Sequence, residues 1–374
     1  MTRIDNIRID RLSGRSTPID IELNPDLNVF FGLNGTGKTS LLKVIYSAVR
    51  NRSDLLAGIS FESAAVTIFS QLENTSLTRR IRSGDLEKQE DAFYVDEDGD
   101  HVRLARGPAT SWKTSGHKEN RPFEATFLTT SRLSVSDRRA SRTYPRGGDS
   151  SVDATIDERF AEEVQLLWRR YTNKTLSEVR QIQQSGLAQI LQSLFSDAIA
   201  THPQELDAQT AYYRSMEFLR RQGVQPRETL KSFTSHYASD VRLASIVHEI
   251  DSIERRIESA EEPRRKLQEL IGQFVGGKEI EFTDREIDVR SGDTPIPLTT
   301  LSSGEKQLIR ILVDVINAGV STIIIDEPEL SMHIDWQHEL LASLRTVNPE
   351  AQIIVATHSP EIMANVPDAQ IYRL

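Results

Sequence analysis

The sequence predicts an α/β fold carrying an antiparallel β lobe and an α-helical insertion, on three observations. A glycine-rich octapeptide, "GLNGTGKT", joins an apolar strand to an amphipathic helix near the start of the chain. Two apolar runs near its end, "STIIIDEPEL" and "AQIIVATHSPEI", finish in polar residues, as buried parallel strands do. Between these regions a long stretch takes on helical periodicity.

Residues 1 to 31 read as strands: Ile4, Ile7 and Ile9, then "IDIEL", then "LNVFF". "SLLKVIYSAV" follows as a helix, with Leu41, Leu42, Val44, Ile45 and Val49 on its apolar face. "AAVTIFSQL", "SLTRRIRS", "DAFYVD" and "DHVRLA" are antiparallel strands. The turn "DEDGD" between the last two lacks the glycine and glutamate spacing of a calcium loop and reads as a hairpin. "ATFLTT" (125–130) is one more strand, and 107–125 and 131–152 are loops. From about 153 to 275 the pattern is helical. Leu187, Ile190, Leu191, Leu194 and Phe195 share one face, and Leu243, Ile246, Val247, Ile250, Ile253 and Ile257 share another. Pro263 is expected to end that second helix, and Leu267, Leu270, Ile271 and Phe274 begin a further face. "RRIESAEEPRRKLQEL" reads as a salt-bridged exposed face, and Trp168 as packing between insertion helices. "KEIEF" and "EIDVR" are short strands, and the last 75 or so residues alternate helix and strand. The expected divisions are an N-terminal lobe at 1–150, a helical insertion at 151–277 and a C-terminal lobe at 278–374.

Composition bounds the function classes. With 38% hydrophobic and 27% charged residues among 374, the chain reads as soluble and globular. No apolar run approaches the roughly 18 residues of a membrane span, and the N-terminus lacks a secretion signal's apolar core, so a cytoplasmic location is expected. Cysteine is absent, which excludes disulfides and thiolate zinc sites. The formal net charge of −10 makes the chain a poor general nucleic-acid binder, so such binding needs a local basic patch.

The octapeptide spans Gly32 to Thr39 and matches G-x-x-x-x-G-K-[ST]. Its glycines let successive backbone N–H groups point at phosphate oxygens, and the helix start adds its positive dipole end. Asn34, Gly35, Thr36, Gly37, Lys38, Thr39 and Ser40 are the expected phosphate-binding positions. Lys38 can reach the β- and γ-phosphates, and the Thr39 hydroxyl can ligate Mg²⁺. The first acidic strand end puts Asp326 where it can hold Mg²⁺, and Glu327 where it can accept a proton from attacking water. The second ends at His358, which can contact a γ-phosphate or orient the water. In "LTTLSSGEKQLIRIL", Ser and Gly open an amphipathic helix, another N-terminus able to bind an anion.

The order of phosphate loop, "LSSGE", "IIIDEPE" and "ATHS" resembles the ABC ATPase superfamily. The resemblance implies an ABC ATPase head that binds ATP and Mg²⁺ and hydrolyses ATP to ADP and phosphate. It implies that Ser302, Ser303 and Gly304 meet the γ-phosphate of ATP held on another copy, giving a homodimer or higher homo-oligomer with composite sites. Asp326, Glu327 and His358 match the family's magnesium, base and switch-histidine positions. Glu329 after the proline, His333, Trp336 and Gln337 are similar to OLD-like and RecF-like ATPases rather than transporter subunits. The family's Q-loop glutamine is missing near 125–130, where Thr130, Ser131 or Arg132 stand as candidates. With 16 residues following His358, the TOPRIM nuclease that OLD proteins carry there is not expected in this sequence.

The expected function is ATP-driven dimerisation that controls a separate effector, a nuclease among the candidates, in prokaryotic anti-phage defence or a toxin-type system. The alternative is a RecF- or SMC-like DNA-binding head in DNA repair, and a transporter subunit is a third reading. Residues 103–146 bear on that choice. They are strongly basic, including Arg138, Arg139 and Arg142, with Trp112 and Tyr144 interleaved as on a DNA or RNA surface. A solvated loop or a docking surface for an acidic partner accounts for the same residues.

Overall fold

The computed structural model describes residues 2–71, 74–86, 93–95, 101–103, 112–115, 122–129, 149–195 and 206–374. In chain order, β1 (Thr2–Asp10), β2 (Ile19–Glu22) and β3 (Leu27–Phe31) lead into α1 (Lys38–Arg50). Next come β4 (Ser63–Ser70), β5 (Thr75–Arg82), a single helical turn α2 (Ser83–Leu86), β6 (Phe93–Val95), β7 (His101–Arg103), β8 (Lys113–Ser115) and β9 (Ala125–Thr129). The helices α3 (Asp149–Phe195), α4 (Ala208–Arg221), α5 (Leu230–Ser239) and α6 (Val241–Phe274) follow. The chain then forms β10 (Glu279–Phe282), β11 (Ile287–Ser291), β12 (Thr294–Pro295), α7 (Ser303–Ala318), β13 (Thr322–Asp326), α8 (Ile334–Val347), β14 (Ile353–Thr357), the short α9 (Pro360–Met363) and β15 (Ile371–Arg373).

The residues divide into two compact units. The first comprises Met1–Leu167, Leu270–Glu281 and Asp288–Leu374. It holds a parallel sheet in the order β15-β3-β14-β13-β9 and an antiparallel sheet in the order β2-β1-β4-β5-β8. The strands of the parallel sheet read as near-continuous apolar runs because both faces are covered: every residue of β13 and of β14 is buried. In the antiparallel sheet, β4 alternates buried and half-buried positions, as a strand with one face on the core must. One core cluster joins the two sheets through α1, whose Leu41, Leu42, Val44, Ile45 and Val49 are fully buried. β6 and β7 pair antiparallel, as the hairpin reading expects. The entry of α3 is tied to α7 by ion pairs, Asp157 to Lys306 at 2.8 Å and Glu163 to Arg310 at 2.6 Å.

The second unit comprises Trp168–Glu269 and Phe282–Ile287. Ile182 and Ile190 of α3 pack with Phe218 of α4 and with Ile250, Ile253 and Ile257 of α6. Three local expectations are corrected. Leu187 and Leu191 are exposed, because α3 turns the Ile182–Ile190 stripe to its neighbours and leaves those two positions outside it. Trp168 is buried, but against Tyr171 on its own helix and Phe282, with its Nε1 donating to the Thr283 carbonyl at 2.7 Å. Pro263 does not end α6, which runs through it. A mid-helix proline costs about 3 kcal/mol through the lost N–H and the clash with the preceding turn. Burial of Ile253 and Ile257 before it, and of Leu267 and Ile271 after it, outweighs that cost. The salt-bridged surface is present, with Glu262 reaching Lys266 at 3.0 Å.

Among the described residues no helix is long and apolar enough to cross a membrane.

Candidate functional site

Strand order builds the site. β14 lies between β3 and β13, all parallel, with Thr357 level with Phe31 and Asp326 level with Ala356. The three C-terminal ends therefore open on one edge, which carries the phosphate loop, the turn after Asp326 and His358. The Gly32 N–H donates to the Thr357 carbonyl at 3.4 Å and the Glu327 N–H to the Ala356 carbonyl at 2.8 Å, so the ends are stitched together.

In the phosphate loop Gly35 and Gly37 hold φ of +86° and +91°, left-handed conformations that a side chain disfavours. α1 begins at Lys38 with Gly37 as its N-cap and no side-chain cap, so its first N–H groups face the loop. Lys38 is only 4% exposed, and its Nζ donates to the carbonyls of Gly32 at 2.8 Å and Leu33 at 3.1 Å. Asn34 and Gly35 are exposed, and Thr36, Gly37, Thr39 and Ser40 half-buried. The Thr36 hydroxyl closes the loop on the Leu33 carbonyl at 2.9 Å.

Asp326, at the end of β13, is 7% exposed. Burial pushes its carboxyl above the usual range, against a hydrogen bond from the Thr39 side chain. The two sequence-predicted magnesium positions are thus neighbours. A carboxylate and a hydroxyl at the foot of a phosphate loop form the hard-oxygen donor set that Mg²⁺ takes, so the residues fit the ion. Glu327 follows in a left-handed conformation, φ +53°. Its Oε1 lies 3.4 Å from Lys38 Nζ and its Oε2 contacts His358 Nδ1, so lysine, glutamate and histidine form one connected polar chain.

Ser302 and Ser303 are exposed and Gly304 is buried. Ser302 caps α7 in a capping box: its Oγ accepts from the Glu305 N–H at 3.3 Å, and Glu305 Oε2 accepts from the Ser302 N–H at 2.6 Å. Lys278 Nζ holds the same Glu305 at 2.7 Å. Among the described residues, Ser302, Ser303 and Gly304 make no hydrogen bond to the phosphate loop of their own chain. Instead α7 meets the acidic turn, Gln307 Nε2 donating to the Pro328 carbonyl at 2.7 Å.

The side chain that ties the edge together is Glu329, which the sequence marked only through the family resemblance and to which no role in the site was given. Glu329 is 5% exposed and accepts at one oxygen from Thr357 Oγ1 at 2.5 Å, the His358 N–H at 2.9 Å and the Ser359 N–H at 3.2 Å. Gln337 adds a brace, accepting from Ser359 Oγ at 2.8 Å. The one signal in the sequence was an acid directly after Pro328 at the end of an apolar strand. β9 ends with Thr129 level with Asp326, and the Q-loop candidates Thr130, Ser131 and Arg132 lie outside the described residues.

Trp112 requires a correction. It is 1% exposed, its Nε1 donates to Ser47 Oγ at 3.0 Å and its N–H to Asn51 Oδ1 at 3.0 Å, so it belongs to the core beside α1 and offers no stacking face. Tyr144, Arg138, Arg139 and Arg142 lie outside the described residues.

A family described as "AAA domain, putative AbiEii toxin, Type IV TA system" matches residues 27–364. The chain belongs to this family. The phosphate loop, "LSSGE", the acidic strand end and His358 all lie, in this order, within the matched residues. It is 28% identical over 125 residues to the Retron Vc95 probable ATPase of Vibrio cholerae, covering 29% of this chain and 24% of that protein. It is 24% identical over 102 residues to the Retron Ec83 probable ATPase of Escherichia coli, covering 24% of this chain and 19% of that protein. The chain thus matches about a quarter or less of the length of these relatives. Among solved structures it is similar to the Smc head domain of Pyrococcus furiosus bound to the C-terminal domain of ScpA, at 13% identity and a TM-score of 0.44. That match spans 98% of this chain and 92% of that one.

Proposed function

We propose that the chain hydrolyses ATP at sites completed by a second copy, and that closure of the two heads controls a separate effector in a toxin-type or anti-phage system. The observation that carries the chemical half is the shared edge, where Lys38, Glu327 and His358 touch in sequence beside the Asp326–Thr39 pair. Lys38 and the start of α1 bind the phosphates. Thr39 and Asp326 hold Mg²⁺, which when bound neutralises charge on the β- and γ-phosphate oxygens. Glu327 accepts the proton of the attacking water, and His358 contacts the γ-phosphate. Ser302 and Ser303, exposed at the start of α7, meet the phosphate held by the other copy, with Gly304 packed beneath them. Support for the effector half comes from the family's description as a putative toxin of a Type IV TA system.

Glu327→Gln tests both halves. Expressed with its neighbouring genes and purified with ATP and Mg²⁺, the variant keeps the bound nucleotide and loses the base. Turnover falls by on the order of 10²- to 10⁴-fold and dimers accumulate. Wild-type turnover by the variant would refute the chemical reading. A stoichiometric protein that co-purifies after nuclease treatment supports the effector. Recovery of nucleic acid with no protein partner moves the function to a DNA-binding head.

A further inference from the structure

We infer that Glu329 is a positioning residue for the hydrolysis proposed above: its buried carboxylate fixes both the backbone and the ring of His358. One oxygen of Glu329 carries nearly all of its contacts. Oε1 takes the Thr357 hydroxyl and the N–H groups of His358 and Ser359, and it lies 3.1 Å from His358 Nδ1. Oε2 is buried with no hydrogen-bond partner among the described residues. Leaving half of a carboxylate buried and unsatisfied costs free energy. A strand that merely had to end here would not need it, since the Ser359 N–H already has the Thr357 hydroxyl at 3.0 Å. What the carboxylate adds is the grip on His358.

The turn makes this possible. Glu327 and Ser331 both adopt left-handed φ, +53° and +67°, and the chain between them folds so that Glu327 and Glu329 both reach Nδ1 of the same imidazole. A carboxylate oxygen of Glu327, one of Glu329 and a ring nitrogen of His358 all lie within 4.8 Å of one another. With Nδ1 held by carboxylates, Nε2 is the ring nitrogen left to meet a ligand. An outer residue that orients a histidine through its second nitrogen is a general device of enzyme sites. Glu329 does not itself touch the reacting atoms in this arrangement.

The test is a cycle of Glu329→Gln and His358→Gln in the full chain. Single-turnover hydrolysis and binding of a fluorescent ATP analogue are measured with Mg²⁺. Glu329→Gln is expected to slow hydrolysis on the order of 10- to 100-fold and to leave nucleotide affinity within about threefold. In the His358→Gln background it is expected to change the rate by less than about threefold, because its target is already gone. Multiplicative losses in the double variant overturn the inference, as does a wild-type rate in Glu329→Gln. A second readout does not need turnover. With ¹⁵N-labelled histidine, the ring signals of His358 are assigned by their loss in His358→Gln, and they must move in Glu329→Gln. Unmoved signals overturn the inference even where hydrolysis is intact. A wild-type chain that turns over no ATP refutes the proposed function instead, and the ring signals still decide the role of Glu329.

Discussion

Gly304 is where a single methyl group tests the packing of the site most sharply. A Cβ built there lies 2.6 Å from the Ser331 carbonyl oxygen and 3.4 Å from Cζ3 of Trp336. Carbon–oxygen contacts settle at about 3.3–3.6 Å, so the two segments must part by roughly 0.7–1 Å. The obstacle is backbone, not the end of a flexible side chain. Ser331 already sits in the left-handed region, and the turn before it is anchored by Glu329. Forcing such a gap costs about 1–3 kcal/mol. Alanine returns at most about 1 kcal/mol of helix propensity over glycine. The clash wins, and Gly304→Ala is expected to destabilise the unit containing it by about 1–2 kcal/mol. Gly272 is the control: it is also helical, a Cβ there meets nothing within 4 Å, and Gly272→Ala is expected to stabilise by up to about 1 kcal/mol. Urea unfolding followed by tryptophan fluorescence reads both, with Trp336 beside the altered contact. A Gly304→Ala chain as stable as wild type, or one that gains alongside Gly272→Ala, would refute a backbone clash at Ser331. The same substitution is expected to depress ATP turnover, because the start of α7 can no longer rest on Ser331.

Two further expectations concern the surroundings. Burial alone would raise the Glu305 carboxyl, but Lys278 and the Ser302 backbone amide outweigh it and hold the group below its ordinary 4.5. A depressed carboxyl stabilises the fold above its unfolded value and loses that contribution as pH falls through its folded one. Glu305→Gln is therefore expected to cost about 1–2 kcal/mol at neutral pH, and the gap in melting temperature from wild type to close as pH drops below about 4.5. A gap that is constant from pH 7 to 3.5 would show that charge contributes nothing there. Trp112→Phe removes the hydrogen bond to Ser47 and leaves a small void, costing about 1–2 kcal/mol. It is expected to leave any DNA affinity and its salt slope unchanged, and a loss of affinity without a loss of stability would return Trp112 to a binding surface.

What was legible in the sequence was local. The phosphate loop, the acidic strand end and His358 each announce themselves within about ten residues, because a buried parallel strand is a continuous apolar run and its functional residue stands where the run stops. The misreadings share the opposite property. Pro263 is a helix breaker by local rules, and only the burial of Leu267 and Ile271 beyond it carries α6 through. Trp112 reads as exposed among basic neighbours until Ser47 and Asn51, far earlier in the chain, come round to meet both its nitrogens. Glu329, which entered only through the family resemblance, depends on distant segments in the same way. Its neighbours in sequence describe a charged turn, and its partners arrive only because β14 inserts between β3 and β13 and brings Thr357 to Ser359 against it. A buried acid with no local partner is, by the cost of desolvating it, evidence that a distant segment must supply donors.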